Sequence, residues 1–261
     1  MKAAVLYAND DLRYDDYPMP RPGKGEVLVK VRATGICGSD VPRVLHNGAH
    51  FYPIVLGHEF SGEIVELGEG VEGFSVGDRV AGAPLIPCFQ CNHCQKGSYS
   101  LCKSYSFIGS RVQGSFAQYI KLNARNAVKM DSNVSFEQGA LIEPSTVALH
   151  GIRRVSYKGG KDVAVLGGGT IGLFTAQWAK IFGAKRVVVF DIDNDRLKLA
   201  ERLGADYTIN TMEEGFLDKA FEITKGEGFD YIFETAGAEP TIKMVFELAG
   251  NNSSACLIGT P

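Results

Sequence analysis

The chain has little of what an exported protein, a membrane protein or a polyanion-binding protein would carry. Its formal net charge is only −3 over 261 residues, both signs are interleaved, and no run of like charge is long enough to form a tail. Nucleic acid and anionic membranes favour basic stripes, so neither is expected as a partner. No Arg-rich or long apolar leader precedes Asn9-Asp10-Asp11, so targeting is not indicated and a cytoplasmic location is expected. There is no internal repeat and no low-complexity segment. Free cysteine is scarce outside two groups: five of the six fall in them, leaving Cys256 alone in an apolar run. That is poor material for a disulfide framework, and Cys256 reads as a small core residue. One uncharged stretch, Val163 to Ala179, raises the question of a membrane span. It contains Gly167-Gly168-Gly169, and a strand, a glycine turn and a helix explain it better.

What is present divides into two textures. The first part is β-rich: Ala3 to Tyr7, Glu26 to Ala33 with period-two alternation, and Gly62 to Leu67, each bounded by turn residues such as Pro20-Arg21-Pro22-Gly23. Short strands of this kind predict a folded, partly open barrel. From Gly82 to Gly114 the chain is rich in Pro, Cys, Ser and Gly and reads as a loop that needs a metal to pack. After about Ser135 helical segments lead to Val155. Strands and helices then alternate: Asp162 to Gly167, Thr170 to Phe182, Arg186 to Asp191, Asp193 to Leu203, Tyr207 to Ile209, Glu214 to Thr224, Asp230 to Glu234, Pro240 to Ala249 and Ser254 to Ile258. This order predicts an α/β unit, a parallel sheet covered on both faces.

Two constellations carry metal chemistry. Cys88, Cys91, Cys94 and Cys102 form C-x2-C-x2-C-x7-C, a set able to enclose one tetrahedral ion. Iron–sulfur ligation is the competing reading, but the long last gap and Lys103 after Cys102 depart from the ferredoxin pattern, so zinc is expected. A closed four-thiolate site leaves no place for substrate and should stabilise a lobe. The second set is Cys37-Gly38-Ser39-Asp40 with Gly57-His58-Glu59, a soft thiolate, an imidazole and carboxylates, the mixture expected of a metal left open for chemistry. The protease pattern H-E-x-x-H fails because Gly62 occupies its last position. Asp40 could orient His58, or could instead cap a helix running through Pro42, Val44 and Leu45.

Gly167-Gly168-Gly169-Thr170-Ile171-Gly172 satisfies G-x-G-x-x-G, directly after an apolar strand and at the start of a helical run. One glycine makes the tight turn, another admits a pyrophosphate to the backbone, and the third lets helix pack on strand. Asp191 ends the next strand, nineteen residues beyond Gly172. There an acid accepts from the ribose hydroxyls of NAD and repels the phosphate of NADP; capping the following helix is its alternative role. The candidate cofactor set is Gly167, Gly169, Thr170, Ile171, Gly172, Asp191 and Arg196.

With these residues in place the chain resembles the zinc-dependent medium-chain alcohol dehydrogenases, in their polyol branch. The carriers are Gly35 to Asp40, Leu56 to Gly62, Gly77-Asp78-Arg79-Val80, the Cys88 to Cys102 lobe, Glu143-Pro144 and the glycine fingerprint. The resemblance implies a GroES-like catalytic domain over 1–152, with a structural zinc lobe at about 84–106. A doubly wound Rossmann domain over 153–261 follows, with five of its six strands. The nucleotide domain is therefore expected to be incomplete at the C-terminus, which bears on closure of the cleft, on the family's homo-oligomer and on turnover itself.

By the same resemblance, Cys37 and His58 are catalytic zinc ligands and Glu143 stands where other members place a second cysteine. Glu59 is a neighbouring carboxylate that binds the ion in some states or holds its water. Asp40 lies beside them, and Ser39 begins a proton relay, although by itself it could bond local backbone. The implied cofactors are two zinc ions and NAD, with zinc as a Lewis acid and hydride passing to NAD. The implied substrate is a small-molecule polyol or polyol phosphate. Asn47 to Pro53 and Tyr105 to Arg111 resemble the branch acting on galactitol 1-phosphate, with sorbitol-, xylitol- and threonine-type activities as alternatives. Arg43 and Arg111 are candidates for a substrate phosphate, since guanidinium offers it a planar fork, or are simply solvated.

Overall fold

In the computed structural model, which describes Met1–Gly259, the chain divides between Glu143 and Pro144 into two units. In the first, β1 (Lys2–Ala8), β2 (Asp11–Asp16), β3 (Glu26–Gly35), α1 (Asp40–Leu45), β4 (Ile54–Val55), β5 (Glu59–Leu67) and β6 (Arg79–Gly82) come in order. They are followed by β7 (Leu85–Ile86), α2 (Asn92–Gln95), β8 (Ser106–Phe107), β9 (Tyr119–Asn123), β10 (Ala127–Lys129) and α3 (Phe136–Ala140). The main sheet has the order β10-β6-β5-β3-β9, a smaller one runs β2-β1-β4, and β7 pairs with β8 across the base of the cysteine loop. Val27 and Val29 of β3 are buried with Phe60, Ile64, Val80, Ile120 and Leu122 in one core, but the expected alternation is broken there because Leu28 between them is buried too.

Two differences from the sequence reading have physical causes. Strand β5 starts at Glu59 rather than Gly62, because its antiparallel pairing with β3 continues through irregular register to the pair Gly35↔Glu59. Strands β2, β4, β6, β9 and β10 carry no isolated signal. They are short, or polar like Asp11–Asp16, and exist because a longer partner offers them a hydrogen-bonded edge.

Helix α4 (Ile142–Arg154) runs across the division, and the second unit continues with β11 (Asp162–Leu166), α5 (Thr170–Ile181), β12 (Arg186–Asp191), α6 (Asn194–Arg202) and β13 (Tyr207–Asn210). Then come α7 (Phe216–Thr224), β14 (Phe229–Glu234), α8 (Glu239–Glu247) and β15 (Ala249–Leu257). The sheet order is β13-β12-β11-β14-β15, every pairing parallel. Both faces are buried, as the near-continuous apolar strands require. Val163, Val165, Val187, Val189 and Phe233 pack on one side with residues of α4, α5 and α6. Ala164, Leu166, Val188, Phe190 and Ile232 pack on the other with α7 and α8. The uncharged stretch Val163 to Ala179 is thus a strand, a glycine turn and most of α5. Among the described residues no helix is long and apolar enough to cross a membrane.

Helix α4 contains the expected domain boundary at 152/153. Ile152 is buried in the core formed with Val163 and Val165, and Gly151 lies against Ile258 and Cys256, so packing assigns the helix from Pro144 onward to the nucleotide-type unit. Cys256 is half-buried on that core.

At the opposite end of this sheet Arg186 forks onto Asp162, Nε to Oδ1 at 2.7 Å and Nη2 to Oδ2 at 2.6 Å. The guanidinium hydrogen bonds hold the Asp162 carboxyl below the ordinary range, against a smaller opposing effect of burial. A depressed acid stabilises the fold above its unfolded pKa and ceases to as pH falls through the folded value. Asp162→Asn should therefore cost about 3 kcal/mol at pH 7, since it leaves the half-buried Arg186 without its counter-charge. It should cost less near pH 3, below the ordinary value of about 3.9 for an unfolded aspartate, where the stabilisation has begun to fall away. Urea unfolding at the two pH values checks this, and equal losses would contradict it.

Candidate metal and dinucleotide sites

Strand pairing assembles the first site. Because Gly35 on β3 faces Glu59 on β5, the turn after β3 and the residue before β5 meet, which brings Cys37 to His58. Gly35 is needed there: a Cβ would stand 2.3 Å from Glu59 Oε2. Gly57, at φ +91°, turns the chain into His58 against the side chains of Phe116 and Ser115. The donor atoms of Cys37, His58 and Glu59 lie within 4.8 Å of one another. Glu143, in the first turn of α4, is outside that tight trio but near enough for its charge to feel Glu59.

The electrostatics of this cluster fit a cation. Burial pushes up the Cys37 thiol and the Asp40 and Glu59 carboxyls, and with Glu59 nearby it pushes Glu143 up to about 7. Burial, then the charge of Arg43, pulls His58 down to about 4, so the imidazole is neutral and able to ligate. A divalent ion would relieve the acids and use the imidazole as it stands. Asp40 is 2 % exposed, accepts from Cys37 N through Oδ2 at 3.1 Å, and has Oδ1 at 3.8 Å from His58 Nδ1. It does not cap α1. Ser39 holds the cap position, without a side-chain capping bond, and its Oγ contacts Cys37 Sγ at 3.4 Å instead of local backbone. Phe107, which the sequence reading did not single out, sets its ring edge-on to His58 at 5.4 Å. An aromatic in a loop rich in Pro, Cys, Ser and Gly gives no periodic signal by which to find it.

The four cysteines form a closed set, again within 4.8 Å. Cys91 Sγ is 3.6 Å and Cys88 Sγ 3.9 Å from Cys94 Sγ. Four ligands at metal–sulfur distances of about 2.3 Å around a tetrahedral zinc stand about 3.8 Å apart, so the spacing fits. Backbone N–H groups of Cys88 and Cys91 point at Cys102 Sγ and Cys88 Sγ, a polar lining suited to thiolates. Backbone hydrogen bonds, the Lys103 amide first, lower Cys91 to about 6. Burial, and then the neighbouring thiols, raise Cys94 to about 12.

In the second unit, Gly167 takes φ +105° and a Cβ at Gly172 would lie 1.8 Å from Gly167 O, so helix packs on strand as the fingerprint requires. Gly169, at the N-cap of α5, has nothing near where a Cβ would stand, which leaves its backbone open to a ligand. Thr170 begins α5 and is exposed, and Ile171 is half-buried in its first turn. Asp191 is buried, accepting from Gly168 N at 2.6 Å and Asp193 N at 2.9 Å. It is not the cap of α6, because Asp193 fills that position and accepts from Asp195 N and Arg196 N. Arg196 Nη1 lies 3.7 Å from Asp191 Oδ2. Of the candidate phosphate residues, Arg43 is close enough to affect His58 and Asp40, while exposed Arg111 stacks on Tyr105 at 4.7 Å.

Comparison with known proteins follows this division. Residues 23–132 match the alcohol dehydrogenase GroES-like domain, and residues 170–261 match the zinc-binding dehydrogenase family. The whole chain is 44% identical to galactitol 1-phosphate 5-dehydrogenase of Escherichia coli (strain K12) and covers 75% of it. It is 36% identical to sorbitol dehydrogenase of Bacillus subtilis (strain 168), again over the whole chain and 75% of the relative. The crystal structure of galactitol-1-phosphate dehydrogenase from Escherichia coli superposes on all of the chain and 75% of its own, with a TM-score of 0.94 and 41% identity. A GroES-like β-rich unit with a trio of metal donors, joined to a parallel-sheet unit with a dinucleotide fingerprint, places the chain in the zinc-dependent medium-chain alcohol and polyol dehydrogenase family.

Proposed function

We propose that the protein oxidises a secondary alcohol of a polyol or polyol phosphate with NAD, galactitol 1-phosphate being the favoured substrate and tagatose 6-phosphate the product. The observation that carries the chemistry is the meeting of Cys37, His58 and Glu59 in one buried cluster. The substrate assignment is supported by the 44% identity to the Escherichia coli enzyme over the whole chain. Zinc, when bound, supplies a Lewis acid for the substrate oxygen, and NAD accepts the hydride. Cys37 and His58 would hold the ion, with Glu59 and Glu143 as carboxylates beside it, and Asp40 would fix the face that His58 presents. The half-buried Ser39 hydroxyl would begin the proton relay, accepting the substrate's proton as it gives its own on to solvent. The four cysteines would hold the second ion and keep the lobe folded. Arg43, beside the cluster, is the better placed of the two arginines for a substrate phosphate. Purified protein with NAD should produce NADH faster on galactitol 1-phosphate than on sorbitol, xylitol or threonine. A preference for an unphosphorylated polyol would reassign the substrate, and no NADH with any of them would remove the proposed activity.

Metal analysis tests the division of labour. The protein should carry about two zinc ions per chain under reducing conditions. Cys91→Ser should lose one and expose the lobe to protease, whereas His58→Ala should lose the other and lower kcat/KM by more than about 100-fold with little change in Tm. Glu143→Ala should weaken that same ion. If Glu143→Gln keeps both the second zinc and most activity, the carboxylate is not a ligand.

Cofactor preference rests on Asp191. The unaltered protein should bind NADH more tightly than NADPH. Asp191→Gly should narrow that preference and also weaken NADH, because the same carboxylate holds Gly168 N. Titrations that leave both affinities unchanged would rule out a ribose-binding role.

A further inference from the structure

We propose that Thr235 is a positioning residue for the dinucleotide, clamping one end of the Gly167–Gly168 peptide whose other end is held by Asp191; the proposal rests on the dinucleotide reading of the Gly167–Gly172 turn. The strand order reverses between β11 and β14, and in such sheets ligands bind in the crevice outside the carboxyl ends at that point. One wall of the crevice is the glycine turn after β11. The other is Thr235-Ala236-Gly237, directly after β14.

Thr235 ties the two together. Its N–H donates to Leu166 O at 2.9 Å, and its Oγ1 lies 2.9 Å from Leu166 O and 3.1 Å from Gly167 O, so one hydroxyl hydrogen is shared between the two carbonyls. On its other side Gly167 O is enclosed by Gly172, where even a methyl group would collide. A peptide unit is planar, so the direction of Gly167 C=O also sets that of Gly168 N–H. That N–H donates to Asp191 Oδ2 at 2.6 Å. Thr235, the 167–168 peptide and Asp191 therefore form one rigid chain of contacts, crossing from β14 through β11 to β12. What it fixes is the approach to Gly169, the open N-cap of α5, and the orientation of the carboxylate offered to the ribose.

The segment behind Thr235 is itself braced. Glu234, fully buried, accepts through Oε1 from Ala236 N and Gly237 N at 2.9 Å each and from Thr241 Oγ1 at 2.8 Å. Gly259 packs so closely on Gly237 that a Cβ there would stand 2.2 Å from Gly237 N. The wall cannot follow the glycine turn if the turn relaxes, so loss of the hydroxyl is felt at the turn.

The test is NADH binding, measured by calorimetry and by quenching of the single tryptophan, Trp178 in α5. Thr235→Val, nearly isosteric, should weaken NADH by about five- to tenfold, the size expected for one shared hydrogen bond. Thr235→Ser should restore most of the loss, with Tm and zinc content unchanged in both. In a double-mutant cycle the effects of Thr235→Val and Asp191→Asn should not add, because both act on one peptide. Unchanged affinity in the valine variant, no recovery with serine, or strict additivity would overturn the inference. Failure of the unaltered protein to bind NADH would overturn the dinucleotide reading, and this inference with it.

Discussion

The antiparallel pairing of β3 with β5 is the constraint on which the metal chemistry depends. Cys37 and His58 are twenty-one positions apart, and neither belongs to a motif that would join them locally. They meet because the ladder runs to its last pair, Gly35 with Glu59, at the point where both strands become loops. The pairing survives there only because residue 35 has no side chain, since Glu59 occupies the space that a Cβ would need. A glycine at the end of a strand is thus part of the site without touching any ion. The main core lies beneath the same two strands, with Val27, Val29, Phe60 and Ile64 fully or nearly fully buried. Donor geometry is consequently held by strands seated on the buried core of the unit, which favours a small and unvarying donor separation over a flexible one.

The second dependence is electrostatic. Burying a thiol and three carboxyls around one neutral imidazole disfavours the charged form of each. Asp40 Oδ1 is buried with no hydrogen bond. Every acid of the cluster is shifted toward its uncharged form, and the base likewise. Such a set is unfavourable as protein alone and coherent around a divalent cation. In the four-cysteine lobe the compensation differs in kind: backbone N–H groups point at sulfur, and two of the four side chains remain partly exposed.

Much of this was legible before any coordinates. The cysteine spacing, the glycine fingerprint in its strand-helix context and the acid ending β12 are local patterns, and each is found where the pattern put it. Long strands with period-two or continuous apolar runs, such as β3, β11 and β12, were equally clear. Less legible were elements whose existence depends on partners far along the chain. Asp11–Asp16 is polar and becomes a strand only beside β1, and Ile54–Val55 is too short to show a period. The two open roles of Asp40 and of Asp191 were undecidable from sequence for one reason. A carboxylate near a helix start looks like a cap, and only coordinates reveal that Ser39 and Asp193 hold those positions. Thr235 left no trace either, because a threonine after an apolar strand is unremarkable until its hydroxyl is seen to face two carbonyls.

The two donor sets differ in charge as well as in openness, and this decides which can do chemistry. Four thiolates around a divalent ion leave the assembly with an excess of negative charge, which disfavours release of a proton from any further oxygen ligand. Cys37, His58 and Glu59 would hold the same ion with fewer negative charges, and a bound ion would there supply a stronger Lewis acid to a substrate oxygen than four thiolates allow. The neutrality of His58 follows from its burial and from Arg43 nearby, and Glu143, shifted to about 7, is poised to carry or lack a charge as a ligand arrives. Arg43 has a double consequence: it adds to burial in keeping the imidazole uncharged, and it offsets the Asp40 carboxylate one turn earlier on the same helix. A positive residue that close to the donors also raises the local potential felt by any anion entering the cluster.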